Sequence, residues 1–269
     1  MATRVRLDGE LVRRGLAPSR EAASAAIRDG RVRVAGAVAS KPSTLVSPAD
    51  PVALAGPARR WASRGGDKLA PALDRLGVAV AGRRCLDAGA ASGGFTDVLL
   101  HRGAALVVAV DVGYGQLDLR LRNHPRVRVH ERCNARTLTR EQVGGQVDLI
   151  VADLSFISLT LVLPALAALA TPDADLVLLV KPQFEAGREA VGRGGVVRDP
   201  AVRAAAVRRV ADAARGQGLG VAGLCPSPLP GPSGNVEFFL HLRAGVGPLD
   251  DAELDRVVAE GAALPGAAR

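Results

Sequence analysis

Aromatic side chains are scarce in this 269-residue chain: Phe, Tyr and Trp together make up 3%, with one Trp and one Tyr. With 48% apolar residues, a sizeable core is still available, but it must be aliphatic. Cysteine is nearly absent as well. Cys85, Cys133 and Cys225 lie far apart with no C-x-x-C pair, which argues against a disulfide framework or a zinc site and for a reducing, cytoplasmic setting. The four histidines are scattered without ligand-like spacing, so no metal is expected. The opening residues Met-Ala-Thr-Arg-Val-Arg lack an apolar signal core. Residues 154–172 form a 19-residue uncharged stretch, long enough to raise the question of a membrane span. Its serines, threonines and two prolines read instead as a loop followed by a buried helix, and no membrane is expected as a partner. Lysine is the most telling scarcity. It occurs three times, at Lys41, Lys68 and Lys181, against thirty-two arginines. A position that stays Lys in such a background points to a need for a compact ammonium that can lose its proton.

What is present divides unevenly. Residues 1–60 hold eleven Lys/Arg against five Asp/Glu, whereas the rest holds 24 against 22. The first sixty residues are therefore a basic module suited to a polyanion. Periodicity predicts a short helix from Asp8 to Leu16 and a second capped by Ser19, with Ala22, Ala26 and Ile27 as its apolar stripe and its end at Asp29-Gly30. Short strands follow at Val32, Val34 and Leu45-Val46. The pattern from Ser19 to Gly36 resembles the S4 RNA-binding domain, and on that resemblance Arg4, Arg6, Arg20 and Lys41 would contact phosphates, with Arg64 beyond the linker as a further RNA contact. A Pro/Ala/Gly-rich stretch, 47–58, marks a boundary. The expected organisation is 1–58, a linker 59–62 in which Trp61 serves as a packing anchor, a domain 63–245, and an extension 246–269 with no functional reading.

From Ser63 onward, apolar strand-like runs alternate with helical patterns, predicting an α/β, doubly wound, mostly parallel sheet of Rossmann-like type. Ligands of such sheets sit beyond the carboxyl ends of the strands. Asp87, Asp111, Asp153 and Lys181 all fall at those ends. The first strand runs into Asp87-Ala-Gly-Ala-Ala-Ser-Gly-Gly-Phe95-Thr96. Its glycine spacing is not G-x-G-x-x-G, which disfavours a pyrophosphate turn and a dehydrogenase and favours a nucleoside without phosphates, such as S-adenosylmethionine. Asp87, Gly89, Ser92, Gly93, Gly94, Phe95, Thr96, Asp111, Val112 and Asn134 are the candidate cofactor residues, with Asp111 placed to bind a ribose diol.

The residues after the fourth strand, Asp153-Leu-Ser-Phe156, differ from the Asn/Asp-Pro-Pro-aromatic turn of amine methylases. Carbon methylation of pyrimidines would need a cysteine nucleophile, for which Cys225, read as lying in a loop, is a weak candidate. Oxygen remains. A ribose 2′-hydroxyl must lose its proton during attack, and a lysine can accept it where a second cation lowers its hold on its own proton. Lys68 and Lys181 would do this, with Asp153 and Glu237 orienting them.

These four residues match the Lys-Asp-Lys-Glu tetrad of FtsJ-like ribose 2′-O-methyltransferases. Together with Arg-x-Trp, Ser-Arg-Gly-x-x-Lys, Asp-Val-Gly-Tyr-Gly-Gln, Ala-Asp-Leu-Ser-Phe-Ile-Ser, Val-Lys-Pro-Gln-Phe-Glu and Gly-Asn-Val-Glu, the chain up to about residue 243 resembles the TlyA family. The resemblance implies S-adenosylmethionine-dependent 2′-O-methylation of cytidine in 16S and 23S ribosomal RNA, ribosomal subunits as partners, and a link to sensitivity to capreomycin-type antibiotics. Two positions depart from it: Ala62 stands where a larger aliphatic residue is expected, and Asp67 adds an acid beside Lys68 that would strengthen its hold on its proton. The family has also been labelled haemolysin, so a membrane-active cytolysin stays open as an alternative, as does an RNA-binding assembly factor with an inactive enzyme fold.

Overall fold

Apolar pairs set between glycines and prolines can support only short elements, and the start of the chain is built from them. The computed structural model describes residues 4–28, 30–56 and 60–267, so that Asp29 and residues 57–59 of the expected boundary lie outside the described residues. The chain divides into two compact units between Arg60 and Trp61.

In the first unit, β1 (Val5–Arg6) leads into α1 (Leu7–Arg13), followed by α2 (Arg20–Arg28) and β2 (Val32–Val34), β3 (Ala37–Val38), β4 (Leu45–Val46) and β5 (Val52–Leu54). A three-stranded antiparallel sheet runs β3-β2-β5, and β1 pairs with β4. Ser19 Oγ accepts from the Ala22 amide at 3.1 Å, the N-cap the sequence suggested. The buried stripe of α2 is Ala23, Ala26 and Ile27 rather than Ala22, which is half-buried. A helix starting at Arg20 carries residue 23, not 22, onto the side that meets Leu7, Leu11 and Val46.

The second unit contains α3 (Arg64–Arg75), β6 (Arg84–Ala88), α4 (Gly94–His101), β7 (Leu106–Val110), α5 (Leu119–Arg122) and β8 (Val127–His130). It continues with α6 (Arg140–Val143), β9 (Val147–Ala152), α7 (Leu163–Leu169), β10 (Ala170–Val180), α8 (Pro182–Glu185) and α9 (Pro200–Arg215). It closes with β11 (Leu219–Pro226), β12 (Phe238–Ala244) and α10 (Asp251–Ala262). Among the described residues the strands form one seven-stranded sheet, β11-β12-β10-β9-β6-β7-β8. β12 runs antiparallel to β10 and β11, and the other pairings are parallel.

Both faces are covered, which is why the strands read as continuous apolar runs instead of alternating ones. Leu149, Val151, Val177 and Leu179 meet Leu69 and Leu99 on one face. Ile150, Leu176, Leu178 and Leu240 meet Leu166 and Val210 on the other. Each such leucine contributes about 1.5–3 kcal/mol of burial free energy, so the sheet holds its strand ends rigidly. Trp61 belongs to this core, edge-on to His101 at 5.3 Å. A Cβ at Gly66 would sit 2.3 Å from its ring. Cys225 lies inside β11 and not in a loop; it is fully buried, and burial pushes its thiol up to about 11. It cannot serve as a nucleophile toward a pyrimidine. The extension after residue 245 contributes α10, whose Leu254, Val257 and Val258 close the core.

Candidate active site

The turn after β6 is shaped by backbone contact. Gly89 has φ +89°, and a Cβ there would lie 2.6 Å from the Asp153 carbonyl oxygen. At Gly93, the N-cap of α4 with φ +96°, a Cβ would lie 2.3 Å from Leu121. The turn therefore presses against the neighbouring strand end and against α5, and only glycine permits both approaches. Asp111, one residue beyond β7, fastens the turn: its carboxylate accepts from the Ala91 amide at 2.8 Å and from the Gly113 amide at 2.7 Å.

Beside this turn lies a cavity of about 380 Å³. Of the residues expected to bind a cofactor, Gly89, Asp111, Val112 and Asn134 line it. The other six shape the turn from behind. Thr96 Oγ1 donates to Asp87 at 2.7 Å, Phe95 packs on Phe239, and the Ser92 carbonyl accepts from the Asp118 amide, while Gly93 and Gly94 form the start of α4. Sequence reasoning did not assign Gln116, Cys133, Ser155 and Phe156, which also line the cavity. Gln116, Ser155 and Phe156 fall within the sequence motifs, but no spacing rule marks a residue as facing a cavity.

Asp87 is fully buried, and burial pushes its carboxyl up to about 7, with the charges of Asp153 and Asp111 adding to the shift and the Thr96 hydrogen bond opposing it. A carboxyl raised in this way keeps its proton in the folded state while the unfolded chain has already lost it. Its contribution to stability therefore falls as pH rises from about 4 to about 7. Asp87→Asn is expected to raise the melting temperature relative to the unsubstituted protein at pH 8 and to lose that advantage at pH 5. An advantage equal at both pH values in a thermal scan would contradict the assignment.

The four tetrad candidates lie beyond the carboxyl ends of the parallel strands β9 and β10. Val180 pairs with Phe238, so Lys181 and Glu237 are neighbours just beyond that register. Asp153 follows β9, and Lys68 reaches in from α3, whose start is capped by Ser63. Two ion pairs result. Lys68 Nζ lies 2.6 Å from Glu237 Oε2, and Lys181 Nζ lies 2.6 Å from Asp153 Oδ1. Lys68, Lys181 and Glu237 are 7%, 8% and 2% exposed. Lys181 also donates to Ser155 Oγ at 2.8 Å, and Gln183 Nε2 donates to Glu237 at 3.4 Å. Two desolvated ammonium groups are costly unless each has its own carboxylate. The pairing supplies that one to one.

The loop after β9 carries a feature the sequence did not reveal. Phe156 is 92% exposed and has φ +64°, a region that a bulky residue enters only under constraint. Its ring meets Phe184 of α8 at 5.1 Å. An exposed aromatic held in a strained conformation at the mouth of a cavity is a ready stacking surface.

In the first unit, Arg6 and Arg20 both pair with the buried Asp8, at 2.7 and 3.2 Å, while Arg4 and Lys41 are exposed. Asp8 is held down at about 2, chiefly by its hydrogen bond with Arg6. Arg13 and Arg14 likewise share Glu10. Part of the basic surplus is thus neutralised internally. Arg64, in the second unit, is exposed and donates to the Pro230 carbonyl at 3.2 Å. Among the described residues no helix is long and apolar enough to cross a membrane, and no cluster of His, Cys, Asp and Glu could hold a metal ion.

The sheet order, the glycine turn and the strand-end acid together define a Rossmann-like methyltransferase fold. Residues 61–244 match the FtsJ-like methyltransferase family and residues 5–52 the S4 domain. The chain is 60% identical over 244 residues, 90% of this chain and 91% of the relative, to the 16S/23S rRNA (cytidine-2′-O)-methyltransferase TlyA of Mycobacterium tuberculosis. It is 44% identical over 261 residues, 95% and 93% of the two chains, to the putative rRNA methyltransferase YqxC of Bacillus subtilis. Hemolysin A of Brachyspira hyodysenteriae is 35% identical over 88% of this chain and 99% of its own. A solved structure of a putative hemolysin from Streptococcus thermophilus superposes with a TM-score of 0.75 at 38% identity, over 97% of this chain and 96% of that one. The chain belongs to the TlyA family of FtsJ-like methyltransferases with an S4 domain.

Proposed function

We propose that the protein transfers a methyl group from S-adenosylmethionine to the ribose 2′-hydroxyl of cytidine in ribosomal RNA, with 16S and 23S RNA both substrates, as the name of the Mycobacterium tuberculosis relative states for that protein. The observation that carries the reading is the pair of lysine–carboxylate contacts beyond the strand ends, one of which reaches the cavity wall through Asp153. Amine methylation needs no such pair of cations, and carbon methylation of a pyrimidine needs a nucleophilic thiol: Cys225 is fully buried, and burial pushes up the thiol of Cys133 at the cavity wall, which disfavours its thiolate.

The residues present fit the cofactor. Gly89 brings bare backbone to the cavity wall, Asp111 offers remaining lone pairs to a diol, and Val110, Val112, Ala135 and Ile157 provide an apolar lining for a purine. Asn134 stands at the same wall. When bound, S-adenosylmethionine supplies an electrophilic methyl group on sulfur. Asp153 and Ser155 fix Lys181 Nζ, which takes the hydroxyl proton as the new bond forms. Glu237 holds Lys68, whose ammonium stabilises the developing alkoxide. The reaction depends on placing oxygen, methyl carbon and sulfur in line. Phe156 takes the flipped base on its exposed face, a stacking contact worth roughly 1–3 kcal/mol. Arg4, Arg6, Arg20, Lys41 and Arg64 meet phosphates, which fix register without reading sequence.

Incubation with tritium-labelled S-adenosylmethionine and separated ribosomal subunits tests the reading. Label is expected in RNA; label in ribosomal protein alone would remove it.

A further inference from the structure

Glu185 is an expensive residue to bury. It is 3% exposed, and a carboxylate in such a place must be fully satisfied. Both of its oxygens are used on one segment: Oε1 accepts from the Leu159 amide at 2.8 Å and Oε2 from the Ser158 hydroxyl. Ser158 in turn caps the short turn at Leu159–Leu161, through the Thr160 amide. This segment is the far end of the loop that carries Ser155 and Phe156. The near end is fixed by Asp153, whose amide donates to the Ala88 carbonyl. The loop therefore has an anchor at each end and a strained, exposed phenylalanine between them.

Glu185 also terminates α8, the turn that begins directly after Lys181 and carries Gln183 and Phe184. Phe184 lies against Phe156, and its ring centroid is 5.8 Å from Lys181 Nζ. Arg209 of α9 fixes α8 from outside by donating to the Glu185 carbonyl at 2.8 Å. One four-residue turn thus connects the proposed base, the proposed base-stacking ring and the loop end.

We propose that Glu185 is a positioning residue that holds the 154–158 loop in its strained conformation, so that Phe156 presents its ring to the acceptor base. The proposal rests on the reading of Phe156 as the stacking surface. A φ of +64° persists only where surrounding contacts over-determine it, and Glu185 supplies two of those contacts.

Full-length Glu185→Ala should methylate ribosomal RNA on the order of 10²-fold more slowly, the cost of a misplaced reacting group. Glu185→Gln can still accept from Leu159 and can donate to Ser158 Oγ, so it should stay within about threefold. Ser158→Ala removes one contact without burying an unpaired charge and should fall between the two. If the loop is the route of action, Phe156→Ala combined with Glu185→Ala should be no slower than Phe156→Ala alone. Hydrogen exchange at the Thr160 and Leu161 amides, which are bonded to Ser158, should quicken in Glu185→Ala and not in Glu185→Gln. Unchanged exchange, or losses that multiply in the double variant, would overturn the proposal. Full activity in Phe156→Ala would instead remove the stacking reading, and the exchange measurement would then decide the role of Glu185 by itself.

Discussion

Lys181→Ala is expected to abolish methyl transfer while leaving cofactor and RNA binding largely intact. A positioned general base contributes roughly 10²–10⁴-fold, and alanine leaves no group at that position to take the proton. The expected loss is therefore at the upper end, about 10³-fold or more. Lys181 is a cleaner test than Lys68. Removing Lys68 would leave Glu237, 2% exposed, as an unpaired buried carboxylate, at a cost of about 3–5 kcal/mol. Asp153, the partner of Lys181, keeps 22% of its side-chain surface exposed and can be rehydrated. Lys181→Arg adds a control for charge, since a guanidinium cannot give up its proton at working pH. Loss of activity in both variants, with unchanged binding by calorimetry and filter assay, assigns the proton to Lys181. Activity in either variant would remove it from that role.

Removing residues 1–58 should weaken binding to ribosomal subunits far more than binding to S-adenosylmethionine. The cavity is lined entirely by residues of the second unit, which has its own core. The first unit holds most of the surplus positive charge. If Arg4, Arg6, Arg20 and Lys41 each meet a phosphate, the slope of log affinity against log salt should fall in magnitude by about 3. Near physiological ionic strength, affinity should drop on the order of 10²-fold. Asp8 modulates this. Arg6 and Arg20 already share it, so each phosphate contact competes with an existing ion pair, and Asp8→Asn should tighten binding. An unchanged affinity for subunits on deletion, measured at a stated salt concentration, would contradict the role given to the basic module.

The sheet was legible because its strands are short apolar runs ended by glycine or acid, and a parallel sheet covered on both faces produces that pattern. Asp111, Asp153 and Lys181 could be placed at strand ends by reading alone. The S4 pattern was equally visible, from the Ser19 cap to the Gly36 turn. What escaped is of two kinds. One depends on side-chain direction: Thr96 and Asp87 turn toward each other and not toward the cavity, and Ala23 replaces Ala22 in the stripe. Their neighbours in sequence do not encode that choice. The other depends on partners far apart in the chain. Lys68 and Glu237 are 169 positions apart, so nothing local says which carboxylate each lysine takes. Phe156 illustrates both. In sequence it is one residue of the motif after β9, and only its backbone angle, its exposure and its contact with α8 mark it as a stacking surface.

The central claim concerns a single atom, the oxygen that receives the methyl group. Ribosomal RNA methylated by the purified protein can be digested to nucleosides and analysed by chromatography and mass spectrometry. The expected product is cytidine methylated on its ribose, with the linkage at the modified position resistant to alkali. A methyl group on a base nitrogen or base carbon, with the ribose unmodified, would contradict the assignment of Lys68, Asp153, Lys181 and Glu237.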